Sequence, residues 1–207
     1  MRQQQPGRRR LLAASAAVLT VPGVLGRALA KGRLRPTPAQ EEGPFYPVDF
    51  SGDDDDLLTH GVLHYGKGQP AWVSGTVTDT GGAPLAGATV EVWQCDAQGH
   101  YHHPRDRGEA DAAFQGFARI SVGSSGQYRF HTIRPAPYTG RTPHIHFKVK
   151  LGARELLTTQ LYVDGDPGNA RDFIWRALSE EDRAQVTRPF QPGPDGVAAQ
   201  FPIVVEL

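Results

Sequence analysis

The sequence has 207 residues, with 22 lysines and arginines against 22 aspartates and glutamates, so its formal net charge is zero. This length suits one ordinary domain with appendages, and the balanced charge argues against nucleic acid as a partner. The 24 glycines and 17 prolines favour turns over a helical bundle, and the single cysteine excludes an internal disulfide or a cysteine-based metal cluster.

Residues 1–30 have the layout of a secretory signal. They contain five arginines and no acidic residue, and an apolar stretch at 11–25 precedes a small-x-small motif at 28–30. The arginines at 8–10 fit a twin-arginine signal, with the general secretion route as the alternative. The stretch falls short of the roughly 20 apolar residues of a stable membrane anchor. We expect cleavage near Ala30 and an exported protein, periplasmic or extracellular; an uncleaved anchor and a misplaced chain start are the alternatives.

Residues 31–71 are predicted to form an N-terminal arm and loop. Residues 31–40 are typical of an extended arm, and residues 42–47 (EGPFYP) form a rigid aromatic loop because their two prolines fix the backbone. The four aspartates at 53–56 favour a solvated loop. A calcium site is the alternative there, although the spacing of an EF-hand loop is missing. Without residues 1–30 the chain has 17 basic and 22 acidic side chains, a net charge of −5.

From residue 72 onward, short apolar alternations separated by turn clusters predict a β-sandwich. The predicted strands are 72–77, 88–93, 117–122, 128–133, 144–150, 156–163 and 201–206. Seven or eight strands with long loops and little helix indicate an all-β sandwich domain over residues 72–207. One helix is expected near Ser179, where serine can cap the first turn and the acidic residues that follow suit the helix N-terminus.

The clearest candidate metal ligands are His144 and His146. Strand alternation places Ile145 on one face and both histidines on the other, with Cα atoms about 7 Å apart, so the two imidazoles can converge on one ion. Two ordinary buried or surface histidines are the alternative, since the chain has eight. Further ligands must be Asp, Glu, Tyr or His. Tyr101 and Tyr138 lie nearby in sequence, although a core position is the usual role of a tyrosine.

Several segments together resemble the intradiol ring-cleavage dioxygenases, the family of protocatechuate 3,4-dioxygenase and catechol 1,2-dioxygenase. The matching segments are 42–47 (EGPFYP), 74–101 (SGTVTDTGGAPLAGATVEVWQCDAQGHY), 114–119, 126–138 (GQYRFHTIRPAPY), 141–147 (RTPHIHF) and 159–167 (TQLYVDGDP). They follow the family's order, and their combination is far more specific than any one of them. The family's core is a β-sandwich, which agrees with the strand pattern.

The resemblance implies one non-haem ferric iron per chain. The implied ligands are two tyrosinates and two imidazoles: Tyr101, Tyr138, His144 and His146. Arg141 and Gln160 match the family's active-site arginine and glutamine, and with Tyr138 they are the expected catalytic residues. Phe45 and Tyr46 are expected to contact the substrate, with a loop that only packs on the sandwich as the alternative. A phenol has a pKa near 10, so a phenolate at neutral pH needs a strong Lewis acid such as Fe³⁺.

The implied reaction cleaves a catechol with O₂ between its two hydroxyl-bearing carbons and gives a cis,cis-muconate-type dicarboxylic acid. One tyrosinate takes up a substrate proton; Tyr138 is preferred over Tyr101. Arg141 stabilises the negative charge that develops on the ring. Residues 31–71 are too few for the helical N-terminal domain of the catechol 1,2-dioxygenase branch, so the layout is closer to the protocatechuate type. The resemblance also makes a homo-oligomer a candidate assembly.

Two other functions compete with this one. The pattern over residues 73–93 also resembles transthyretin-like sandwich modules that bind sugars or surfaces without catalysis. A zinc hydrolase could use His144 and His146, although no third ligand of the usual kind is evident. Neither alternative accounts for both tyrosines, and metal analysis separates the three.

Overall fold

The computed structural model describes residues 32–49 and 55–207. The predicted signal at residues 1–30 lies outside the described residues, as do Asp53 and Asp54. The described part contains twelve strands and two short α-helices: β1 (Thr59–His60), β2 (Leu63–His64), β3 (Pro70–Asp79), β4 (Ala88–Trp93), β5 (Phe117–Ser121), β6 (Gln127–Ile133), β7 (His144–Leu151), β8 (Arg154–Val163), α1 (Phe173–Ala177), α2 (Glu180–Val186), β9 (Thr187–Arg188), β10 (Gln191–Gly193), β11 (Gly196–Gln200) and β12 (Ile203–Val205).

Two five-stranded sheets make up most of the fold. In the first sheet, the long strand β3 pairs antiparallel with β6 on one edge and parallel with β11 and then β12 on the other, and β10 extends β11. The second sheet has the order β5-β4-β7-β8-β9 and is antiparallel except for its last pair. Strands β1 and β2 form a separate hairpin. The second sheet is the one that positions the candidate site.

The core lies between the two sheets. Strand β7 contributes Ile145, Phe147 and Val149 to it, all fully buried. The Phe147 ring packs edge-on against Phe130 and Phe201 of the first sheet and its connections, with ring centroids 5.9 and 4.9 Å apart. Burying one such side chain is worth about 1.5–3 kcal/mol. This apolar contact fixes which face of β7 points outward.

The all-β sandwich is confirmed, and so are the seven predicted strands and the helix that Ser179 caps through the backbone N–H of Asp182. The strand number is higher than expected, because β1, β2, β9, β10 and β11 were not predicted. Four of these have only two or three residues, and β11 is rich in glycine and alanine. Pairing with distant segments, rather than local propensity, makes them strands. Helix α1 was also missed; its cap is Asp172.

The segment before the hairpin runs across the edges of both sheets. The backbone N–H of Thr37 donates to the carbonyl of Val204 in the first sheet, and that of Gln40 donates to the carbonyl of Thr158 in the second. This path delivers residues 40–47 to the outer face of the second sheet. Neither helix in the described part has the length and apolar character needed to cross a bilayer.

Candidate active site

The outer face of the second sheet presents a buried group of polar and aromatic side chains. Alternation along β7 turns His144 and His146 away from the core. The register places His146 between Trp93 of β4 and Gln160 of β8, and places His144 opposite Tyr162 of β8. All five side chains are buried, and the Trp93 ring stacks on His146 with centroids 4.8 Å apart and planes 7° apart. Neighbouring strands therefore hold the two imidazoles rigidly.

Tyr101 reaches this face from the long loop after β4. Two carboxylates shape that loop: Asp96 accepts backbone N–H groups from three of its residues, and Asp106 accepts the N–H of Tyr101 itself at 2.7 Å. Gly99 has a φ of +88°, and a Cβ there would lie 2.9 Å from the carbonyl oxygen of Pro137. A glycine is required where the loop packs against the segment that contains the second tyrosine.

Tyr138 lies in the proline-rich segment that leads into β7. Its carbonyl accepts the backbone N–H of Arg141 at 2.9 Å, which closes a tight turn around Gly140, where φ is +80°. The turn brings the tyrosine and arginine side chains to the same side. The arginine donates from Nη1 to the Tyr138 hydroxyl at 3.5 Å.

The two phenol rings and the two imidazole rings form one cluster. Ring centroids are 5.4 Å apart for Tyr101 and Tyr138, 5.4 Å for Tyr138 and His144, and 6.2 Å for Tyr101 and His146. The Nε2 atoms of the two histidines are 3.0 Å apart. The structure thus brings together all four residues that the sequence singled out as ligands.

The hydrogen bonding of this cluster fits a metal ion. The Tyr101 hydroxyl is buried and has no hydrogen-bond partner among the described residues, an arrangement that costs about 1–3 kcal/mol. Nδ1 of His144 lies 2.6 Å from the Thr142 carbonyl, which can only accept, so Nδ1 has the proton and Nε2 has the lone pair. A histidine that donates to a carbonyl on one side and offers a lone pair on the other is typical of a metal ligand.

The composition of the donor set narrows the kind of metal. In residues 32–49 and 55–207, no group of three or more His, Cys, Asp or Glu side chains is placed to hold an ion. The phenol oxygens of Tyr101 and Tyr138 are the further donors that the fold brings beside His144 and His146. Anionic oxygen and imidazole together suit a hard transition-metal ion, whereas a zinc hydrolase of the histidine–carboxylate kind has no third ligand in these ranges.

Burial sets the protonation of the metal-free cluster. It raises the pKa of the Tyr101 hydroxyl well above 10, with the nearby Cys95 and Tyr138 adding to the effect. It also raises the pKa of Tyr138, which Arg141 partly opposes. Burial, together with the Arg141 charge, lowers the pKa of His144 to about 3, and the pKa of His146 lies well below 6.5. Both phenols are therefore neutral and both imidazoles unprotonated at pH 7, so phenolate ligands require a Lewis acid.

Arg141 is held at the edge of the cluster by four side chains, one of which is Tyr162, whose hydroxyl lies 3.4 Å from Nη2. Its Nε donates to Asp172 at 2.7 Å, its Nη2 donates to the side-chain oxygen of Gln160 at 2.6 Å, and its Nη1 faces Tyr138. Only 6% of the arginine side chain is exposed. The structure therefore places the predicted arginine beside Tyr138, which was expected to take part in the reaction, and places the predicted glutamine against that arginine.

Sequence reasoning missed the residues that hold Gln160. Its Nε2 donates to the Glu41 carbonyl at 2.8 Å, and its Oε1 also lies 2.9 Å from the Tyr162 hydroxyl, which lies 2.7 Å from Gln40 Oε1. These contacts fix the amide so that its oxygen faces Arg141. Tyr162 could have been found, because it lies two residues after Gln160 on the same face of a predicted strand.

The loop at residues 42–47 covers the cluster. Phe45 stacks on Tyr101 with centroids 4.7 Å apart and meets Tyr138 edge-on at 5.8 Å. Tyr46 packs edge-on against Trp93 at 5.1 Å, and its hydroxyl donates to the buried Glu91 at 2.7 Å. Phe45 is thus placed directly over the candidate ligands, whereas Tyr46 fastens the loop to the sheet. Contact of either residue with substrate stays a prediction.

A cleft of about 660 Å³ runs beside the proline-rich segment. Its wall includes Arg141 and Asp172, together with Arg134 and Arg171. Near the same arginine, Phe173 at the start of α1 is 63% exposed, with its ring centroid 5.7 Å from the Arg141 Cζ atom. Both features put open space and an exposed aromatic ring on the arginine side of the cluster.

Comparison with known proteins identifies the family. A family model described as "Dioxygenase" matches residues 41–206. The chain belongs to the intradiol ring-cleavage dioxygenases. It is 36% identical to the protocatechuate 3,4-dioxygenase beta chain of Burkholderia cepacia, covering 77% of this chain and 72% of that one. It is 34% identical to hydroxyquinol 1,2-dioxygenase of Corynebacterium glutamicum, covering 77% and 58%.

Solved intradiol dioxygenase structures share this fold. The dioxygenase domain of a dioxygenase–carbohydrate-binding protein fusion from Streptomyces sp. SirexAA-E superposes with a TM-score of 0.68 at 31% identity, covering 84% of this chain and 99% of that domain. Catechol 1,2-dioxygenase from Acinetobacter sp. ADP1 gives a TM-score of 0.60 at 26% identity, covering 82% and 62%. The chain spans between 51% and 63% of the length of the curated catechol and hydroxyquinol 1,2-dioxygenases to which its sequence is similar.

Proposed function

We propose that this protein is a ferric, non-haem dioxygenase that cleaves the ring of a catechol between its two hydroxyl-bearing carbons. O₂ is the second substrate, and the product is a cis,cis-muconate-type dicarboxylic acid. The observation that supports this most is the convergence of two phenols and two buried imidazoles: the Tyr101 hydroxyl has no partner among the described residues, and the histidine Nε2 atoms face each other. Membership of the intradiol family supports the same reaction.

One Fe(III) per chain is the proposed cofactor, held by two tyrosinates and two imidazoles: Tyr101, Tyr138, His144 and His146. When bound, ferric iron would supply a Lewis acid that draws electron density from the catechol ring, so that O₂ can react with it. The two phenolates offset two of the three positive charges. The Thr142 carbonyl and the Trp93 ring keep the imidazoles in place.

Tyr138 is the proposed proton acceptor for the substrate, at its hydroxyl oxygen. Tyr101 is 4% exposed and enclosed by other rings, whereas Tyr138 is only partly buried. The guanidinium of Arg141 lies beside the Tyr138 hydroxyl and stabilises negative charge that develops on the ring. Gln160 fixes that guanidinium through a hydrogen bond of 2.6 Å. Phe45 excludes water from the side of Tyr101.

The proposal is tested by oxygen-isotope labelling. The iron-loaded protein is incubated with catechol, protocatechuate or hydroxyquinol under ¹⁸O₂, and the products are analysed by mass spectrometry. We expect a ring-opened dicarboxylate with two ¹⁸O atoms from at least one substrate, and no product from Tyr101→Phe. Cleavage next to the two hydroxyls, which gives a semialdehyde, or no product from any catechol would contradict the proposal.

Export and signal cleavage near Ala30 are a further part of the proposal. The support is the arginine-rich start, the apolar stretch at residues 11–25 and the small-x-small motif at 28–30. Cell fractionation followed by N-terminal sequencing tests it. We expect a processed chain outside the cytoplasm and retention when Arg8 and Arg9 are both changed to lysine. An unprocessed chain found only in the cytosol would overturn the proposal.

A further inference from the structure

The carboxylate of Asp172 makes two separate sets of contacts. Its Oδ1 accepts the backbone N–H groups of Ile174 and Trp175 at 3.0 Å each, which caps helix α1. Its Oδ2 accepts Nε of Arg141 at 2.7 Å and the backbone N–H of Thr142 at 3.0 Å. None of the carboxylate is exposed. One oxygen therefore belongs to the helix, and the other belongs to the active-site arginine.

The contact at Nε determines where the rest of the guanidinium points. The guanidinium is planar, so fixing its Nε–H direction also fixes the plane that contains both Nη groups. In this plane Nη2 meets Gln160 and Nη1 meets Tyr138. The Thr142 N–H ties the same carboxylate to the backbone next to Arg141, which leaves the arginine little freedom to turn.

A second aspartate shows what an ordinary ion pair looks like in this protein. Asp182 and Arg35 also lie 2.7 Å apart, but their side chains are 23% and 54% exposed, against 0% and 6% for Asp172 and Arg141. Exposed ion pairs contribute little to the stability of the folded protein, whereas removing one partner of a buried pair leaves the other charge buried without a counter-charge. The burial of the Asp172–Arg141 pair is thus a feature of the site.

We propose that Asp172 is a positioning residue that aims the Arg141 guanidinium at Tyr138 and the bound substrate. This role rests on the proposed ring cleavage and deepens it. Asp172 has no hydrogen bond to any of the four candidate ligands, and the side chain of the site to which it is bonded is that of Arg141. Its loss should therefore slow the reaction without altering the ligand set.

A double-mutant cycle on the iron-loaded protein tests this role. Asp172→Asn keeps one oxygen for the helix cap and puts a donor against Arg141 Nε, and we expect kcat/KM for the accepted catechol to fall about 10- to 100-fold. The ferric charge-transfer band should keep its position. In an Arg141→Ala background the same change should alter kcat/KM less than about 2-fold, because the guanidinium that Asp172 positions is no longer present. Asp182→Asn, the matched exposed control, should also stay within about 2-fold of the parent.

Thermal unfolding gives a readout that needs no turnover. Arg141→Ala strands a buried carboxylate, so adding Asp172→Asn to it should raise the unfolding temperature instead of lowering it further. If Asp172→Asn does not fold, Asp172→Ser replaces it, because serine also caps a helix but is too short to reach Arg141. Equal losses of kcat/KM in both backgrounds, or additive losses of stability, would overturn the role of Asp172. A parent protein that cleaves no catechol would instead remove the proposed function.

Discussion

The two faces of strand β7 are equally buried, but one is lined by apolar side chains and the other by polar ones. On the inner face Ile145 and Phe147 are fully buried among apolar rings of the other sheet. On the outer face His144 and His146 are 1% exposed, covered by loops, and surrounded by hydroxyls and a guanidinium. Buried polar atoms are normally hydrogen-bonded, yet the outer face keeps the Tyr101 hydroxyl unpartnered among the described residues. The two faces of β7 therefore differ in the chemistry of their buried groups and in the unpartnered hydroxyl of Tyr101, and not in the degree of burial.

The largest expected effect is on the outer face. His146→Ala should abolish iron binding and ring cleavage, because it removes one of two imidazoles from a site with no spare His, Cys, Asp or Glu cluster in the described ranges. Urea denaturation should show an iron-free form as stable as the parent or more so, since a desolvated imidazole is gone. Iron content is measured by mass spectrometry. Full iron occupancy in this variant would break the distinction between the two faces.

Phe147, the residue after His146, is expected to show the opposite pattern, with lower stability but unchanged iron binding. Phe147→Ala removes a fully buried ring from the inner face and should lower the free energy of unfolding by about 3–5 kcal/mol. The fraction that is still folded should bind iron as the parent does, because the ring does not reach the outer face. Chemical denaturation and iron analysis of the same sample check both statements. Lost iron with unchanged stability would reverse the assignment of the faces.

Between pH 7 and pH 5, acid should destabilise the iron-free protein mainly through the two histidines of the outer face. The unfolded chain protonates each histidine near pH 6.5, whereas the folded protein holds the pKa of His144 at about 3 and that of His146 well below 6.5. As pH falls below about 6.5, the unfolded state binds protons that the folded state does not bind. The free energy of unfolding therefore drops by about 1.4 kcal/mol per pH unit for each histidine. Urea unfolding at pH 7 and pH 5 measures this. The variant in which both His144 and His146 are changed to alanine is the control. An equal dependence of its unfolding free energy on pH would contradict the account.

The smallest effect is expected from the loop that covers the outer face. Tyr46→Phe removes the hydrogen bond to the buried Glu91 and should lower the free energy of unfolding by about 1–2 kcal/mol. A looser loop should raise KM a few-fold while kcat changes less. Val48→Ala is the matched control, because Val48 is 74% exposed at the end of the same loop. A larger loss from Val48→Ala than from Tyr46→Phe would show that the loop is fastened elsewhere.

Local sequence patterns predicted the strands and their faces better than the long-range contacts that hold the site in place. Alternation in residues 144–150 was enough to assign both faces of β7, and the run of short strands was enough for the sandwich. The resemblance in short segments singled out Tyr101 and Gln160. Gln40 escaped notice because its partner Tyr162 lies 122 residues away along the chain. Asp172 could be predicted as a helix cap, but its second oxygen acquires a role only when α1 folds beside the segment before β7.

The visible spectrum of the purified protein with ferric iron tests the central claim most directly. Phenolate bound to Fe³⁺ absorbs broadly in the visible region, so the account predicts a coloured protein whose band moves to longer wavelength when catechol is added without O₂. Tyr101→Phe should weaken that band, and Asp172→Asn should leave it in place. A protein that stays colourless after ferric iron is supplied would contradict the assignment of the outer face of β7 as an iron site.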